Sequence, residues 1–168
     1  MAVISRLIDE MTAYYSGDPR RINHFLKVHA FAKTIAELEG VDAQTLFTLE
    51  AAAVVHDVGI KLSEQKYGNS AGSYQELEGP PIAREMLHEL GVDLPVIERV
   101  CYLVGHHHTY GQIDGIDYQI LIEADFLVNI DEDDLTVKQA AAIRDKYFKN
   151  KAAVTLLNRL YPAEEKSN

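Results

Sequence analysis

The apolar residues of this chain recur mostly at intervals of three and four, the spacing of α-helices with one buried face. Glycine, proline and aspartate interrupt the pattern where helices should begin or end. Gly17-Asp18-Pro19, for example, combines a break, a cap and a helix-initiating proline. No stretch alternates convincingly between apolar and polar residues, as a strand would. The sequence therefore predicts an all-α fold with helices over 2–15, 19–39, 43–55, 81–91, 94–108, 118–130, 137–148 and 152–160.

The polar segment from Lys61 to Gly79 falls between two of these helices and is predicted to be a loop. Loops of this length in compact domains are usually functional lids or mobile segments. Gln75 and Glu76 within it could face a substrate. A solvated connection explains the polarity of the segment equally well.

A histidine and an aspartate end the most apolar helix of the chain. The run from Leu49 to Val55 is rich in alanine, the best helix former, and His56-Asp57 follows it directly. Burying an imidazole or a carboxylate is costly unless the group is paired or holds a metal. Both are common ligands of zinc, iron and manganese. The dipeptide alone leaves two interpretations open: a pair of metal ligands, or a capped helix end with a hydrogen-bonded histidine.

Three further polar positions interrupt predicted apolar helix faces. His29 shares a face with Phe25, His106-His107 end the fifth helix, and Asp125 stands within the apolar sixth helix. No lysine or arginine between Arg99 and Lys138 could neutralise Asp125 locally. Each group has a structural explanation of its own, such as a hydrogen-bonded core histidine or a buried salt bridge. One divalent cation at the centre of a helical bundle would satisfy all of them, so the sequence predicts a metal site there.

Composition restricts the class of partner. The chain has 168 residues, a formal net charge of −10 and a pI of about 5.1. This acidity argues against nucleic acid polymers and membranes as partners, but not against a small phosphorylated substrate, because bound cations can invert the local field. The single Cys101, the lack of a visible signal peptide and the lack of an apolar run of about 20 residues indicate one cytoplasmic domain over 1–168. Whether it forms a homo-oligomer is left open.

The order of these residues resembles the HD superfamily of metal-dependent phosphohydrolases. The resemblance covers about 23–129, ahead of the C-terminal helices at 136–160. It is carried by three stretches besides His29: Val54-Val55-His56-Asp57-Val58-Gly59, Gly79 to Leu87, and Ala124-Asp125. It implies a helical bundle with the metal at its centre, held by His29, His56, Asp57 and Asp125. It also implies that Asp57 is catalytic and orients the attacking water or accepts its proton.

The second metal site of some superfamily members is only half present in this sequence. Gln75, with Glu76 beside it, stands where such members have a histidine, whereas His106 and His107 match their histidine pair. Lys61 is displaced by one residue from the lysine that often follows the motif glycine. The resemblance implies one tightly bound divalent ion, of Mn, Fe, Ni, Zn, Co or Mg. A second metal or the substrate would contact five residues: Lys61, Gln75, Glu76, His106 and His107.

The function implied by the resemblance is hydrolysis of a phosphomonoester or phosphodiester in a small metabolite, for which a nucleotide is one candidate. The sequence lacks the acidic pair typical of guanosine-tetraphosphate hydrolases and the Gly-Tyr-Pro signature of cyclic-di-nucleotide phosphodiesterases. Two alternatives stay open. A di-iron oxygenase of the HD type would need the ligand that Gln75 replaces. A non-catalytic binding or signalling module would keep the metal only for folding, in closed coordination.

Overall fold

The computed structural model describes residues 2–163, in which nine α-helices occur and no strand. In chain order the helices are α1 (Val3–Tyr14), α2 (Pro19–Glu39), α3 (Ala43–Val55), α4 (Ile60–Tyr67), α5 (Gly72–Glu89), α6 (Leu94–Val104), α7 (Ile116–Glu132), α8 (Val137–Tyr147) and α9 (Lys151–Leu160). The predicted all-α class is confirmed. Within the described range, no helix combines the length and apolar character needed to cross a membrane.

The predicted loop between Lys61 and Gly79 is wrong, because two helices occupy most of it. Helix α4 begins directly after the His56-Asp57 motif, and α5 continues through Pro80 and Pro81. A proline locally indicates the start of a helix, since it lacks the N–H that an earlier turn would use. Helix α5 packs along α6 and against α4. This tertiary packing outweighs the local preference.

The alanine-rich helix α3 is the central element of the fold. Every residue from Thr48 to Val55 is buried, and α1, α2, α6 and α7 all pack against this helix. Small side chains allow these neighbours to approach closely, as the density of protein interiors requires. Helix α7 packs against α2 and α3 and is buried along most of its length. The C-terminal end of α3 therefore meets the first turns of α2 and the middle of α7.

A buried carboxylate ties the C-terminal helices to this core. Glu123 of α7 is fully buried and accepts hydrogen bonds from the backbone N–H groups of Lys149 and Asn150, at 2.6 and 2.9 Å. These donors belong to the two residues that directly precede α9. The side-chain amide of Asn150 donates to the second oxygen of Glu123 at 2.8 Å. The contact fixes where α9 packs.

Gly59 lies where α4 and α5 make their closest backbone approach. Its backbone has ordinary helical angles, φ −71° and ψ −17°, so its conformation does not require glycine. A Cβ atom at this position would lie 2.6 Å from the carbonyl oxygen of Gln75 and 2.8 Å from the backbone nitrogen of Gly79. Backbone atoms cannot move aside as a flexible side chain can. Sterics alone therefore require a glycine at position 59, two residues after Asp57.

Substitution Gly59→Ala should destabilise the fold by roughly 1–3 kcal/mol, because the added methyl group overpacks a backbone contact. The matched control is Gly111→Ala, since a Cβ at Gly111 meets nothing within 4 Å. We expect the control to change the free energy of unfolding by less than about 0.5 kcal/mol. Urea denaturation of the metal-free proteins measures both. Equal stability of the two variants would contradict the steric argument.

Candidate metal centre

Three imidazoles and two carboxylates converge at the junction of α2, α3 and α7. The Nε2 atom of His24 lies 3.3 Å from Nε2 of His56, 3.3 Å from Oδ2 of Asp57 and 3.2 Å from Oδ1 of Asp125. The Nε2 atom of His56 lies 3.4 Å from the same oxygen of Asp57 and 3.5 Å from that of Asp125. On the other side of Asp57, its Oδ1 lies 3.4 Å from Nε2 of His107. Residues distant in sequence thus direct four possible ligand groups at one point and place a fifth, His107, beside it.

The second nitrogen of each imidazole is hydrogen-bonded outside the cluster. Nδ1 of His56 donates to the carbonyl of Ala53, and Nδ1 of His107 donates to the carbonyl of Val104, both at 2.8 Å. A carbonyl oxygen only accepts, so the proton of the neutral ring must be on Nδ1. Nδ1 of His24 similarly donates to the carboxylate of Glu132 at 2.9 Å. Each Nε2 lone pair is consequently free to bind a cation, the usual arrangement of metal-binding histidines.

Two buried atoms of the cluster lack a hydrogen bond among residues 2–163. They are Nε2 of His107 and Oδ1 of Asp125. Leaving buried polar atoms unpaired is costly, and a cation between them would remove that cost. Imidazole nitrogen and carboxylate oxygen together form a donor set that suits several divalent metals. The residues present therefore fit a metal ion.

The charges of the metal-free cluster are coupled. Burial lowers the pKa of His56, but the carboxylates of Asp57 and Asp125 outweigh burial and hold this pKa well above its ordinary value. Burial likewise raises the pKa of Asp57, but His56 and His107 outweigh it and hold the pKa of Asp57 well below its ordinary value. The pKa of Asp125 is lowered for the same reason, chiefly by His24 and His56 against burial. Protons and a metal would thus compete for the same imidazoles, so binding should weaken at acidic pH.

A second group of possible ligands lies on the other side of Asp57. Asp57, His107 and His108 bring one ligand atom each within 4.8 Å of one another. However, Nε2 of His108 lies 3.1 Å from the amide oxygen of Gln75, whose amide nitrogen donates to the carbonyl of Ser70 at 2.7 Å. That oxygen can only accept, so Nε2 of His108 carries the proton and has no lone pair for a metal. Burial lowers the pKa of His108 to about 4, so the ring is neutral.

His29 does not lie with the other predicted ligands, and His24 takes its place. Nε2 of His29 lies 2.9 Å from Oε1 of the buried Glu50, which also pairs with Lys33. His24 and His29 are five residues apart, which separates their directions by about 140° around a helix. His24 lies on the buried stripe of α2 that includes Val28, and this spacing is the signal in the sequence that could have identified it.

The histidine pair next to Asp57 is His107 and His108, and not His106 and His107. The His106 ring stacks on Tyr102 with centroids 4.2 Å apart, and its Nδ1 donates to the carbonyl of Tyr102 at 2.7 Å. The chain leaves helix α6 in a series of turns after Val104, so successive histidines point in different directions. The sequence could not show where this helix ends to within one residue.

Glu76 and Lys61 contact other parts of the structure. Glu76 accepts hydrogen bonds from the backbone N–H of His108 and from the hydroxyl of Thr109, both at 3.0 Å, and so holds the segment that carries His108. The ammonium group of Lys61 donates to the carbonyl of Tyr14 at 3.0 Å and lies 4.8 Å from the centre of its ring. Neither side chain lines the cavity that borders Asp57 and Asp125, whereas Gln75 does.

A cavity of about 550 Å³ opens onto the cluster. Its lining includes His24, Asp57 and Asp125, so the proposed ligands are reachable from solvent. The other residues that line it are Asp18, Arg20, Arg21, Ile60, Glu64, Ser70, Gln75, His108, Asn129, Glu132 and Asp133. This volume suits a small molecule. The centre is therefore not closed on all sides by protein, as a purely structural metal site would be.

Comparison with known proteins supports the resemblance noted in the sequence. A family model described as the HD domain matches residues 21–149. The chain is also similar to the crystal structure of a predicted HD superfamily hydrolase from an uncultured Thermotogales bacterium, with 24% identity and a TM-score of 0.64. That match covers 94% of this chain and 83% of the other, and it shows a shared fold. A search of curated proteins found no match.

Replacing His24 should remove the metal, whereas replacing His29 should not. We expect wild-type protein and His29→Ala to retain close to one ion per chain after loading and desalting, and His24→Ala to retain almost none. The reason is that, of these two histidines, His24 directs a nitrogen into the cluster and His29 does not. Elemental analysis gives the metal content, and circular dichroism checks that each variant is helical. Equal metal content in the two variants would rule out this choice of ligand.

Glu132 should affect metal affinity without being a ligand. Glu132→Ala removes the acceptor that orients His24, and loss of such a partner typically weakens metal binding about 10-fold to 100-fold. The matched control is Asp131→Ala, because the neighbouring carboxylate is 73% exposed and reaches only Lys27, at 3.9 Å. Competition with a chromophoric chelator measures both affinities. The orienting role is excluded if both variants bind metal as wild type does.

Proposed function

The chain belongs to the HD domain family, and from this we propose that it is a metal-dependent phosphohydrolase acting on a small phosphorylated metabolite. The observation that carries the proposal is the convergence of imidazole nitrogens and carboxylate oxygens at a point that opens into a cavity. A ligand set of this kind leaves a face of the ion available to water and substrate. Open coordination is what distinguishes catalytic from structural metal sites.

Four side chains would hold the cation: His24, His56, Asp57 and Asp125. A bound divalent ion supplies two effects there, a lower pKa for its water and polarisation of a phosphoryl oxygen. His107 lies beside Asp57 and would complete the coordination or contact a second ion. This mixed nitrogen and oxygen set suits Mn, Fe, Co, Ni and Zn, and its carboxylates also suit Mg.

Asp57 is the residue best placed to act on the attacking water. Its two oxygens face opposite sides of the site, Oδ2 towards His24 and Oδ1 towards His107, and it lines the cavity. The neighbouring imidazoles keep its pKa low, so the carboxylate remains ionised and can accept a hydrogen bond from water. Hydrolysis forms a P–O bond to the water oxygen, breaks the P–O bond to the alcohol, and returns one proton to the alcohol oxygen. Asp57 would orient the water for this displacement.

The two alternatives have less support. A non-catalytic module would be expected to enclose its metal, whereas this centre borders a cavity. A di-iron oxygenase needs a complete second site, and Gln75 stands where that site would need a ligand, with its amide oxygen hydrogen-bonded to His108. Measuring metal stoichiometry and oxygen uptake of the iron-loaded protein would separate these functions from hydrolysis. Two irons per chain with oxygen consumption would favour the oxygenase.

Asp57→Asn should lower phosphate release at least about 100-fold, because the variant loses the anionic acceptor for water. The matched control is Asp9→Asn, an exposed aspartate on α1 that we expect to keep the wild-type rate. The assay measures inorganic phosphate released from a panel of phosphomonoesters and phosphodiesters with each candidate metal. Metal content is determined in parallel, since Asp57 is also a proposed ligand.

Two outcomes would contradict the proposal. The first is that wild-type protein with a full complement of metal releases no phosphate from any member of the panel above the background without enzyme. Alternatively, Asp57→Asn could retain both its metal and the wild-type rate. Either result would leave the centre with a role other than hydrolysis.

A further inference from the structure

The cavity at the candidate metal centre has an unusually polar lining. Among the fourteen described residues that line it, six carry carboxylates, two are arginines and Ile60 is the one aliphatic residue. None of them is tyrosine, phenylalanine or tryptophan. Pockets for drug-like or aromatic ligands are predominantly apolar, and bases usually stack on aromatic side chains. The lining therefore presents more polar than apolar surface to a ligand.

The two arginines differ in how they are held. The guanidinium group of Arg21 is paired with Asp18 at 3.1 Å and with Glu64 at 2.5 Å. Arg20 has no carboxylate within 4.0 Å in the part of the chain that the structure describes. Its side chain is exposed and borders the cavity. Arg20 is therefore the cation of this lining that is available to an anionic ligand.

Arg20 also lies on the same face of α2 as the proposed metal ligand His24. It precedes His24 by four residues on α2, so the two side chains project from the same face, with their backbones separated by about 6 Å along the axis. A phosphate next to the cluster would lie between the metal ligands and this guanidinium group. Arginine suits this role, since its planar donors can bind two phosphate oxygens at once.

Charge restricts where the phosphate can bind. Carboxylates outnumber arginines six to two around the cavity, so most of it repels an anion. The phosphate is attracted only where a metal and Arg20 are both near. The remainder of a ligand would face Glu64, Ser70, Asn129 and Asp133, whose oxygens accept hydrogen bonds. Hydroxyl groups are donors that match these acceptors. A nucleobase would find no tyrosine, phenylalanine or tryptophan ring there, and the two imidazoles of the lining have other contacts. His24 belongs to the metal cluster, and His108 packs on His107 with ring centroids 4.0 Å apart and is hydrogen-bonded to Gln75.

We propose that the substrate is a phosphomonoester of a polyhydroxylated alcohol, of the sugar phosphate class, and that Arg20 binds its phosphate group. This inference rests on the proposed hydrolase function and names its substrate class. It disfavours the nucleotide that the sequence left as a candidate. Arg20 contributes to binding and not to the displacement itself, so its loss affects KM more than kcat.

The first test measures binding of inorganic phosphate to the metal-loaded protein by calorimetry. We expect Arg20→Ala to raise the Kd about 10-fold or more, because it removes a charge-assisted contact. Arg20→Lys should recover part of the affinity. The matched control Arg6→Ala removes an exposed arginine of α1 that does not line the cavity and should change nothing. Metal content should be the same in all four proteins.

The second test compares ribose 5-phosphate with adenosine 5′-monophosphate, which share the phosphorylated ribose and differ by the base. We expect kcat/KM to be at least about 10-fold higher for the sugar phosphate, a difference typical of one poorly accommodated group. Equal or faster hydrolysis of the nucleotide would overturn the substrate class. In Arg20→Ala, the KM for ribose 5-phosphate should rise while kcat stays close to wild type.

The outcomes separate this inference from the function on which it rests. If wild-type protein binds phosphate and hydrolyses esters but Arg20→Ala binds phosphate equally well, the role of Arg20 is wrong and the hydrolase function stands. If the metal-loaded wild type neither binds phosphate nor hydrolyses any ester, the proposed function fails, and the inference fails with it.

Discussion

The structure depends on one electrostatic constraint, the proximity of five possible metal ligands close to where α2, α3 and α7 meet. Two carboxylates and three imidazoles lie there with Nε2 of His107 and Oδ1 of Asp125 unpaired within the described residues. Without a cation, His24 and His56 compensate by binding protons, as the raised pKa of each indicates. Such a cluster is unfavourable for folding alone. A cation bound among these groups would remove that cost.

The scaffold positions these groups through backbone contacts. Carbonyl groups of Ala53 and Val104 orient two of the histidines, and both carbonyls belong to the final turns of helices. Carbonyls in the last turn lack partners within the helix, so they can accept these bonds at no loss to it. The contact of Gly59 with the backbone of Gly79 then brings α5 alongside the centre. Helix α5 supplies Gln75, whose amide oxygen holds the proton of the neutral His108 ring on Nε2.

The position of the metal centre beside an acidic cavity accounts for the proposed selectivity for a sugar phosphate over a nucleotide. An acidic protein with an acidic cavity can bind a phosphate only where cations locally reverse the field. The metal centre provides one such point, and Arg20 adds a second charge on the same face of α2. Arg21, the neighbouring residue, is neutralised by Asp18 and Glu64, so adjacent arginines have different roles. The rest of the cavity favours hydrogen-bonding partners over flat apolar ones.

The sequence alone determined the helical class, most helix positions and several of the polar residues that meet at the candidate centre. Apolar spacing is a local property, and His56, Asp57 and Asp125 stand out because polar groups within apolar helices need a partner. The sequence did not determine which side chains meet. His24 and His29 occupy the same helix and differ only in the direction in which they point, and His106 to His108 differ by single residues after the end of α6. The helices within 61–79, interrupted by glycines and followed by two prolines, form because α5 packs on α4 and α6. Each of these outcomes depends on contacts between distant segments, so only the tertiary structure could decide them.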